Sequence, residues 1–593
     1  MRFAIRLAFS VALAAVSSAQ TTTRASSSSA GAQGFDDSFE GATSADGRYV
    51  AFTSYAINFV PGDTNAKADV FVKDLQTGAT TRVSVTSGGV QSDGDSFTPA
   101  ISSDGRYVVF VSAATNLVPG DTNAHEDVFF HDRQTATTTR VSLDSAGVQT
   151  NDFSSGPSVS TDGRYVTFGS YASNLVPGDS NLSFDVFLRD RQTNTTTRVS
   201  VDSAGVQATG NSIDASITPD GRYVVFTSYA PNLVAGDTNG KSDVFLRDLQ
   251  TATTTRVSVG AGGVQGDNDS SVFARAAMSP DGRYVAFASR STNLVAGDTN
   301  AKWDVFLRDR QANTTIRSSV SSTAAQGDDN SVGGSISADG RYLAFTSAST
   351  NLVPGDSNAS DDVFVRDLQL GSTVRASLST GGVQGDAGSG ACSIASNGNV
   401  VVFASDASTL VTGDTNARSD VFARDRGTTW LFTAFCFGDG TGGNCPCGNA
   451  GQAGHGCQNS QSTGGSILTA TGSPSLAGDT MHFTASGELP SALSILLQGT
   501  TAINPVNYGD GLRCVGGALK RLYAHAASGG VVTMPFPADP TVSVKSAALG
   551  DTITPGVTRN YQVYYRDSNP TFCTNPPGGT LNVSRAIAVV WGL

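Results

Sequence analysis

The chain has 593 residues and a formal net charge of −13, and of its 51 acidic residues only Glu40, Glu126 and Glu488 are glutamate. Aspartate favours turns whereas glutamate favours helix interiors, so this composition, with 66 glycines, predicts a turn-rich all-β protein and argues against helical folds. The sequence contains no basic cluster, and nucleic acid is therefore excluded as an expected partner.

The first nineteen residues are typical of a secretory signal peptide. Arg2 and Arg6 form a basic start, an apolar run extends from Leu7 to Val16, and small residues end at Ala19. The apolar run is shorter than the ~20 residues that a membrane-spanning helix needs. We therefore expect cleavage after Ala19, no membrane span, and a bacterial protein that is secreted, displayed at the cell surface or held in the periplasm.

Between residues 41 and 425 the sequence repeats one pattern seven times. Each unit carries S-x-D-G-R-Y-V-x-F, then N-L-V-x-G-D-[TS]-N-x-x-x-D-V-F-x-x-D, then T-T-x-R-V-S. A fixed period with about four short strands per unit is typical of a β-propeller. Successive D-G-R-Y positions are 58 residues apart, except for one spacing of 61, and they fall at Arg48, Arg106, Arg164, Arg222, Arg283, Arg341 and Asn399.

One unit is predicted to contain four strands joined alternately by tight turns and long loops. Because strand direction alternates, the long loops at 114–126 and 144–156 leave the sheet on the same face, where we expect any ligand contacts. The predicted strands, from the innermost outwards, are Pro99–Ser102, Tyr107–Ser112, Asp127–Phe130 and Thr138–Leu143.

The start of the mature chain predicts how the repeat closes. Residues 21–47 match residues 138–163, so the chain begins with an outer strand at 21–26. This strand is expected to complete the sheet of the last unit, next to Asp420–Arg424. The sequence therefore predicts a seven-bladed propeller over residues 20–430, closed by its N-terminal strand.

The S-x-D-G-R-Y-V-x-F and D-V-F-x-x-D motifs resemble the TolB-like, WD-type propeller repeats of bacterial exported proteins, over about residues 21–430. The resemblance implies a propeller fold. It implies no single function, because such propellers serve as protein-binding scaffolds, lyases and hydrolase-gating domains. The separate N-terminal domain of TolB is missing, so a role in envelope assembly is not implied.

The loop motif G-D-[TS]-N-x-x-x-D is the main candidate for a site. Its carboxylate, amide and carboxylate resemble the opening of a calcium loop, which makes calcium the one candidate cofactor. The alternative is an Asx-turn that shapes the loop. The fifth position, counted from the first aspartate of the motif, favours this alternative, because Lys67, His125 and Arg418 stand where calcium loops place an oxygen ligand. The candidate metal ligands are Asp63, Asn65, Asp69, Asp121, Asn123, Asp127, Asp179, Asn181, Asp185, Asp237, Asn239, Asp243, Asp298, Asn300, Asp304, Asp356, Asn358, Asp362, Asp414, Asn416 and Asp420.

Other marked residues have structural interpretations. The repeated arginines at 82, 140, 198, 256, 317 and 375 are predicted to pair across strands with the acids of D-V-F-x-x-D. Trp303 and Phe184 are sugar-stacking platforms or, more simply, local packing. The predicted inner strands are small and alike, and the five histidines show no metal-ligand spacing. No catalytic residue is therefore predicted.

Residues 431–593 are predicted to form a cysteine-rich β-sandwich. Its six cysteines predict three disulfides of open pairing, against the alternative of a zinc cluster. Cys392, on an inner propeller strand, is expected to be a buried free thiol. The F-C-F-G-D-G, C-P-C-G-N and Y-G-D-G-L-R-C-V-G-G motifs resemble a C-terminal module of exported planctomycete-type proteins, which brings no catalytic residues. The six cysteines are Cys436, Cys445, Cys447, Cys457, Cys514 and Cys573, and the zinc alternative uses Cys445, Cys447, Cys457 and His455.

These features together predict an exported, non-catalytic binding scaffold that acts as a monomer. Its acidic long-loop face, loaded with calcium in one interpretation, would recognise a protein or a glycan. Two alternatives remain open: a propeller carbohydrate-active enzyme, such as a polysaccharide lyase or a glycosidase, and a structural component of the cell surface.

Overall fold

The structure is a computed structural model that describes residues 20–271, 275–426, 433–439, 445–446, 448–452, 455–471, 474, 476, 479–554, 557–567, 569 and 581–591. The predicted signal peptide, Cys447 and Cys573 lie outside these residues. Within them, no helix is long and apolar enough to cross a membrane.

Residues 20–426 form short antiparallel strands in repeated four-stranded sheets, as a propeller requires. The strands of this region are β1 (Thr21–Arg24), β2 (Ser38–Thr43), β3 (Tyr49–Ser54), β4 (Asp69–Asp74), β5 (Thr80–Arg82), β6 (Ser96–Ile101), β7 (Tyr107–Ser112), β8 (Asp127–Asp132), β9 (Thr137–Arg140), β10 (Ser154–Val159), β11 (Tyr165–Ser170), β12 (Asp185–Asp190), β13 (Thr195–Arg198), β14 (Ser212–Ile217), β15 (Tyr223–Ser228), β16 (Asp243–Asp248), β17 (Thr253–Arg256), β18 (Ala277–Met278), β19 (Tyr284–Ser289), β20 (Asp304–Asp309), β21 (Thr314–Arg317), β22 (Ser331–Ile336), β23 (Tyr342–Ser347), β24 (Asp362–Asp367), β25 (Ser372–Arg375), β26 (Ser389–Ile394), β27 (Val400–Ser405) and β28 (Asp420–Asp425). A single 3₁₀ turn, Ala261–Gly263, interrupts the described loops.

Seven four-stranded sheets are present among these described residues, and we number them in chain order. Sheets one to six are β2–β5, β6–β9, β10–β13, β14–β17, β18–β21 and β22–β25. Sheet seven joins the two ends of the region, because β1 pairs antiparallel with β28 next to β27 and β26. The predicted pairing of the N-terminal strand is therefore present, over Thr21–Arg24.

The two central strands of each sheet are almost entirely buried. In sheet one, Phe52 of β3 lies opposite Phe71 of β4, with ring centroids 5.8 Å apart, and both side chains are fully buried. Equivalent phenylalanine pairs stack at 5.8–5.9 Å in the other six sheets. The Y-V-x-F and D-V-F segments are thus the core of each sheet.

Neighbouring sheets meet through the tight D-G-R turn. Gly105 has a φ of +73°, and a Cβ at this position would overlap the ring of Tyr49 in the preceding sheet. The corresponding Gly47 of sheet one packs instead on Val400 of sheet seven. A hydrophobic cluster also joins these two sheets, with Phe52 on one side and Val402 on the other. Sheets one and seven are therefore in direct contact.

The C-terminal region contains further sheets and one helix. A five-stranded sheet and a three-stranded sheet share one hydrophobic core that includes Phe483, Leu496, Tyr561, Val563 and Trp591. Alternating apolar residues predict strands at 466–470, 480–485, 493–497, 531–535, 561–565 and 586–591, and a strand is present at each of these places. The other four described strands and the helix of this region are not predicted. The elements are β29 (Thr433–Phe435), β30 (Ile467–Thr471), β31 (His482–Ser486), β32 (Leu493–Gly499), β33 (Thr501–Tyr508), β34 (Gly511–Gly516), β35 (Lys520–Ala526), β36 (Val531–Met534), α1 (Val542–Ala548), β37 (Thr558–Arg566) and β38 (Leu581–Val590).

Four cysteines of this region form two disulfides, Cys436–Cys514 and Cys445–Cys457. The zinc alternative is wrong for Cys445 and Cys457, because their sulfurs are bonded to each other. His455 instead lies with Nδ1 2.8 Å from the carbonyl oxygen of Gly465. Cys392 is a free thiol as predicted, but it is only partly buried, and burial raises its pKa to about 12.

Deletion of residues 20–35 is expected to cause aggregation or a large fall in melting temperature. The deletion removes β1, exposes the edge of β28, and takes Arg24 away from the buried carboxylates of Asp414 and Asp420. Differential scanning calorimetry of the exported protein measures the effect. A truncated protein that melts at the parent temperature would show that β1 is not part of the sheet.

Peptide mapping without reduction is expected to recover Cys436–Cys514 and Cys445–Cys457 as linked pairs. Cys447 and Cys573 are predicted to be oxidised as well, and Cys392 is expected to react with alkylating reagent only slowly, because a thiol with a raised pKa holds little thiolate at neutral pH. Reduced thiols with stoichiometric zinc would contradict the disulfide assignment.

Candidate functional site

The predicted loop residues form a buried ionic network with the repeated arginine. In sheet one, Arg82 Nη1 lies 3.2 Å from Asp63 Oδ1 and 3.0 Å from Asp69 Oδ2. The hydroxyls of Ser84 and Ser92 donate to the other oxygen of Asp69, whose side chain is fully buried. The guanidinium thus joins the outer strand, the third strand and the long loop.

The same network occurs in all seven sheets, with Arg24 of β1 as the seventh arginine. Each arginine contacts one loop aspartate at 2.9–3.4 Å and one strand aspartate at 3.0–3.5 Å. The triads, each written as arginine, loop aspartate and strand aspartate, are Arg82, Asp63 and Asp69; Arg140, Asp121 and Asp127; Arg198, Asp179 and Asp185; Arg256, Asp237 and Asp243; Arg317, Asp298 and Asp304; Arg375, Asp356 and Asp362; and Arg24, Asp414 and Asp420.

The asparagine of each motif forms an Asx-turn. Asn65 Oδ1 accepts a hydrogen bond from the backbone N–H of Lys67 at 3.2 Å, and its Nδ2 donates to the carbonyl of Ser92 in the next long loop. The six equivalent asparagines, Asn123, Asn181, Asn239, Asn300, Asn358 and Asn416, make the same two contacts. The turn interpretation of the motif therefore has a direct structural basis.

The guanidinium supplies positive charge at the place where a calcium ion would meet the carboxylates. Burial still raises the pKa of Asp63, with Arg82 opposing the shift, and burial raises the pKa of Asp420 to about 6. The described residues contain no group of three or more His, Cys, Asp or Glu side chains arranged to hold a metal ion. Calcium binding at these loops stays a prediction.

The arginine of the D-G-R turn makes a second, more exposed ion pair. Arg164 Nη2 lies 2.7 Å from Asp190 at the end of the third strand, and the pair lowers the pKa of Asp190 to about 2. Asp190 also accepts backbone N–H groups of the following turn. The predicted cross-strand pairing thus divides in two: the first acid of D-V-F-x-x-D pairs with the outer-strand arginine, and the last pairs with the D-G-R arginine.

Phe184 and Trp303 were marked as sugar-stacking or packing residues. Phe184 is only 7% exposed, and its ring lies 5.0 Å from that of Tyr171 and 5.7 Å from that of Phe153. Local packing is therefore correct for Phe184. Trp303 is partly buried, and its backbone N–H donates to Asn330.

Four exposed aromatic side chains on the long-loop face were not predicted. Phe35 is 70% exposed, and Tyr55, Tyr171 and Tyr229 are 43%, 40% and 42% exposed. The tyrosines directly follow β3, β11 and β15, at the ends where the long loops begin. Other units carry alanine, arginine or aspartate at this position, so a comparison of the repeats would have found them.

The inner strands are less uniform than the sequence predicted. In sheet two the inner strand begins at Ser96, three residues before the predicted start at Pro99. A bulge between Phe97 and Ala100 separates the added residues from the predicted ones. The added residues include Glu40 in sheet one and Asp214 in sheet four, and in sheet five Arg275 lies two residues before the short inner strand β18. The inner strand of sheet four is therefore longer than predicted and includes an acidic residue.

Comparisons with known proteins identify similar folds but no family. No family model matches the sequence, and no curated protein matches it significantly. Similar solved structures include TolB from Acinetobacter baumannii, which is 16% identical with a TM-score of 0.31 over 52% of this chain and 59% of that chain. The chain therefore spans about three fifths of the length of that TolB.

Two further similar structures have the same limits. A putative TolB from Agrobacterium tumefaciens is 16% identical with a TM-score of 0.29, over 48% of this chain and 80% of that chain. The β-propeller domain of the Trilobed protease from Pyrococcus furiosus is 9% identical with a TM-score of 0.39, over 66% and 95%. TolB proteins are thus among the similar structures, and at these values the similarity carries no information about ligand or activity.

Arg140→Gln is expected to destabilise the protein by about 3–5 kcal/mol, because Asp121 and Asp127 would remain buried without their cation. The matched control is Arg106→Gln in the same sheet, whose side chain is 36% exposed and whose loss should have a much smaller effect, because solvent screens an exposed ion pair. Chemical denaturation measures both. Equal effects would contradict the special role of the buried network.

Melting curves of the parent protein, recorded in calcium and in chelator, test the prediction that these loops bind calcium. A ligand that binds only the folded state stabilises it, so bound calcium would raise the melting temperature of the parent protein. Identical melting in both buffers would leave arginine as the cation of these loops.

Proposed function

We propose that the protein is an exported, non-catalytic binding scaffold built on a closed, seven-bladed propeller. Contact between every pair of consecutive sheets, including one and seven, supports the closed ring. The two disulfides support an oxidising, extracytoplasmic location. The resemblance of the C-terminal region to a planctomycete-type module stays a proposal.

The ligand that we propose for the long-loop face is a glycan. The observation that carries this proposal is the set of exposed aromatic rings at Phe35, Tyr55 and Tyr171, next to loops whose carboxylates are already engaged by arginine. Aromatic faces accept the apolar face of a sugar ring. A rigid scaffold keeps these groups in place before binding, which lowers the entropic cost of association.

Three alternatives are kept. A protein ligand could use the same exposed aromatic residues. A carbohydrate-active enzyme, either a lyase or a glycosidase, is favoured by one observation, since Glu40 and Asp214 place two carboxylates on inner strands. A structural role at the cell surface would need neither group.

A glycan array probed with the exported protein is expected to show binding that the double variant Tyr55→Ala/Tyr171→Ala weakens at least tenfold, because exposed rings often dominate such contacts. The control is Leu370→Ala, which removes a 72% exposed apolar side chain from a tight turn on the opposite face. Circular dichroism and melting temperature establish that each variant is folded.

Three results would count against this proposal. Absence of binding to any glycan would overturn the ligand class and favour a protein partner or a structural role. Binding that Leu370→Ala weakens as much as the tyrosine variant would overturn the assignment of the face. Release of shortened or unsaturated sugar products would establish the enzyme alternative instead.

A further inference from the structure

Three charged residues lie on or just before the innermost strands of three different sheets. Ala42, Ser216 and Ala277 pair with equivalent residues of the second strand, and two positions before them stand Glu40, Asp214 and Arg275. In the other sheets this position holds Thr98, Gly156, Gly333 and Ala391. The charged residues are therefore exceptions to the repeat at its innermost strand.

The backbone at this position is costly for residues other than glycine. Glu40 and Asp214 have φ values of +60° and +57°, in the left-handed region that disfavours most L-residues by roughly 1–2 kcal/mol. Sheets three and six use glycine here, which adopts this conformation without that cost. Thr98 and Ala391 also have positive φ here, so the conformation belongs to the bulge shared by the sheets, and the charged side chains of Glu40 and Asp214 are what differ between them.

The one irregular repeat spacing belongs to the same place. Seven positions separate Ser270 from Ala277 in sheet five, whereas four separate the equivalent Ser38 from Ala42 in sheet one. The three additional residues of the 61-residue spacing therefore lie in the inner segment of sheet five, just before Arg275. The insertion therefore directly precedes Arg275, the one basic residue among Glu40, Asp214 and Arg275.

Arg275 extends from sheet five past sheet four to sheet three. Its Nη1 donates to the carbonyl oxygen of Pro157 at 2.9 Å, and its guanidinium interacts electrostatically with both Asp214 and Glu40. A Cβ at Gly156 would lie 3.3 Å from Nη2, so the glycine leaves room for the guanidinium. Residues of sheets one, three, four and five thus converge at the innermost strands.

The two carboxylates differ in their partners. Glu40 Oε2 accepts from Thr53 Oγ1 at 2.9 Å and from the backbone N–H of Thr98 at 2.6 Å, so this side chain is fixed. The described residues provide no hydrogen bond to the carboxylate of Asp214, which is half-buried. Burial raises its pKa, and the nearby Arg275 opposes the shift. Asp214 therefore offers acceptor oxygens beside the donors of Arg275.

An aromatic ring completes the set. Tyr229 is 42% exposed at the loop-face end of β15, and its backbone N–H donates at 2.9 Å to the carbonyl oxygen of Asn211, three residues before Asp214. The ring therefore links the inner cluster to the proposed glycan-binding face.

We propose that Glu40, Asp214 and Arg275 form an axial site that binds one neutral sugar unit, the end of the glycan that the loop face binds. Neighbouring sugar hydroxyls can donate to Asp214 and accept from Arg275 at the same time, and Tyr229 receives the apolar face of the ring. A neutral ligand fits because Glu40 already accepts two hydrogen bonds, which leaves Asp214 and Arg275 as one acid and one base of opposite charge. A charged ligand would have to be desolvated without a further counter-charge. The ligand class rests on the proposed function, whereas the site stands on its own geometry.

Saturation-transfer NMR titrations of the exported protein test this site with free glucose, galactose and mannose, and with glucuronic acid and glucosamine. At least one neutral sugar is expected to bind more tightly than both charged sugars. Asp214→Ala and Arg275→Gln should each weaken that binding at least tenfold, as expected for the loss of hydrogen bonds to a charged group. The matched control Arg290→Gln changes an arginine of sheet five that donates to Ala301, and it should leave binding unchanged.

A second pair of variants does not disturb the charged residues. Ala391→Trp places a bulky side chain at the same register position of sheet seven, where the native alanine is exposed with a φ of +48°. Ala417→Trp changes an exposed alanine with a φ of +53° in the long loop of the same sheet. The first should block the neutral sugar and the second should not, with melting temperatures reported for both.

Each remaining outcome overturns the axial site. No binding of any neutral sugar, preference for a charged sugar, or binding unchanged in Asp214→Ala, Arg275→Gln and Ala391→Trp would each do so. The loop-face proposal fails separately, because it is judged on arrays with Tyr55→Ala/Tyr171→Ala. Array binding that survives Arg275→Gln would leave the loop face as the whole site.

Discussion

The propeller region depends on a buried arginine held between two aspartates, and every sheet contains one copy. The guanidinium of Arg140 connects β9 to β8 and to the long loop that carries Asp121. Such a buried pair adds little net stability over an apolar alternative, but it is strongly destabilising when one partner is missing. Its main effect is specificity: an outer strand shifted by one residue would leave two buried carboxylates without a cation. The guanidinium offers five N–H donors against the three of lysine, and Arg140 also donates to the carbonyl oxygen of Gly120.

This constraint also explains why the chain can begin with an outer strand. The guanidinium of Arg24 contacts Asp414 and Asp420, and the hydroxyl of Ser26 donates to Asp420. Arg82 and Ser84 make the same contacts with Asp63 and Asp69 in sheet one. The chain ends of the propeller region therefore meet through the same network that orders each sheet internally. A hydrophobic edge alone would accept any apolar strand, whereas this edge selects a strand that carries arginine and serine two residues apart.

Most of the fold could be predicted from the sequence because the repeat aligns equivalent positions. The second strand Tyr107–Ser112 was predicted with its observed bounds, since its apolar residues and the D-G turn mark both ends. The inner strand could not be bounded, because Thr98 at a φ of +49° interrupts the two-residue alternation that marks a strand. In the C-terminal region β33 was missed for a related reason: it is largely exposed and lacks an apolar face.

The candidate site was predicted only in part because its groups are close in space and distant in sequence. Arg82 follows Asp63 by nineteen residues, so the loop motif alone resembled a metal site and did not reveal its cation. Equivalent loops in a sevenfold repeat also offer seven equivalent surfaces, which favour avidity over selection of one ligand orientation. Selection must come from residues that differ between sheets. In this chain such residues are Tyr55, Tyr171 and Tyr229 at the loop face, and Glu40, Asp214 and Arg275 at the innermost strands. In the described structure the charged residues share no contact with the buried arginine networks. Departures from the repeat at the innermost strands are therefore compatible with those networks.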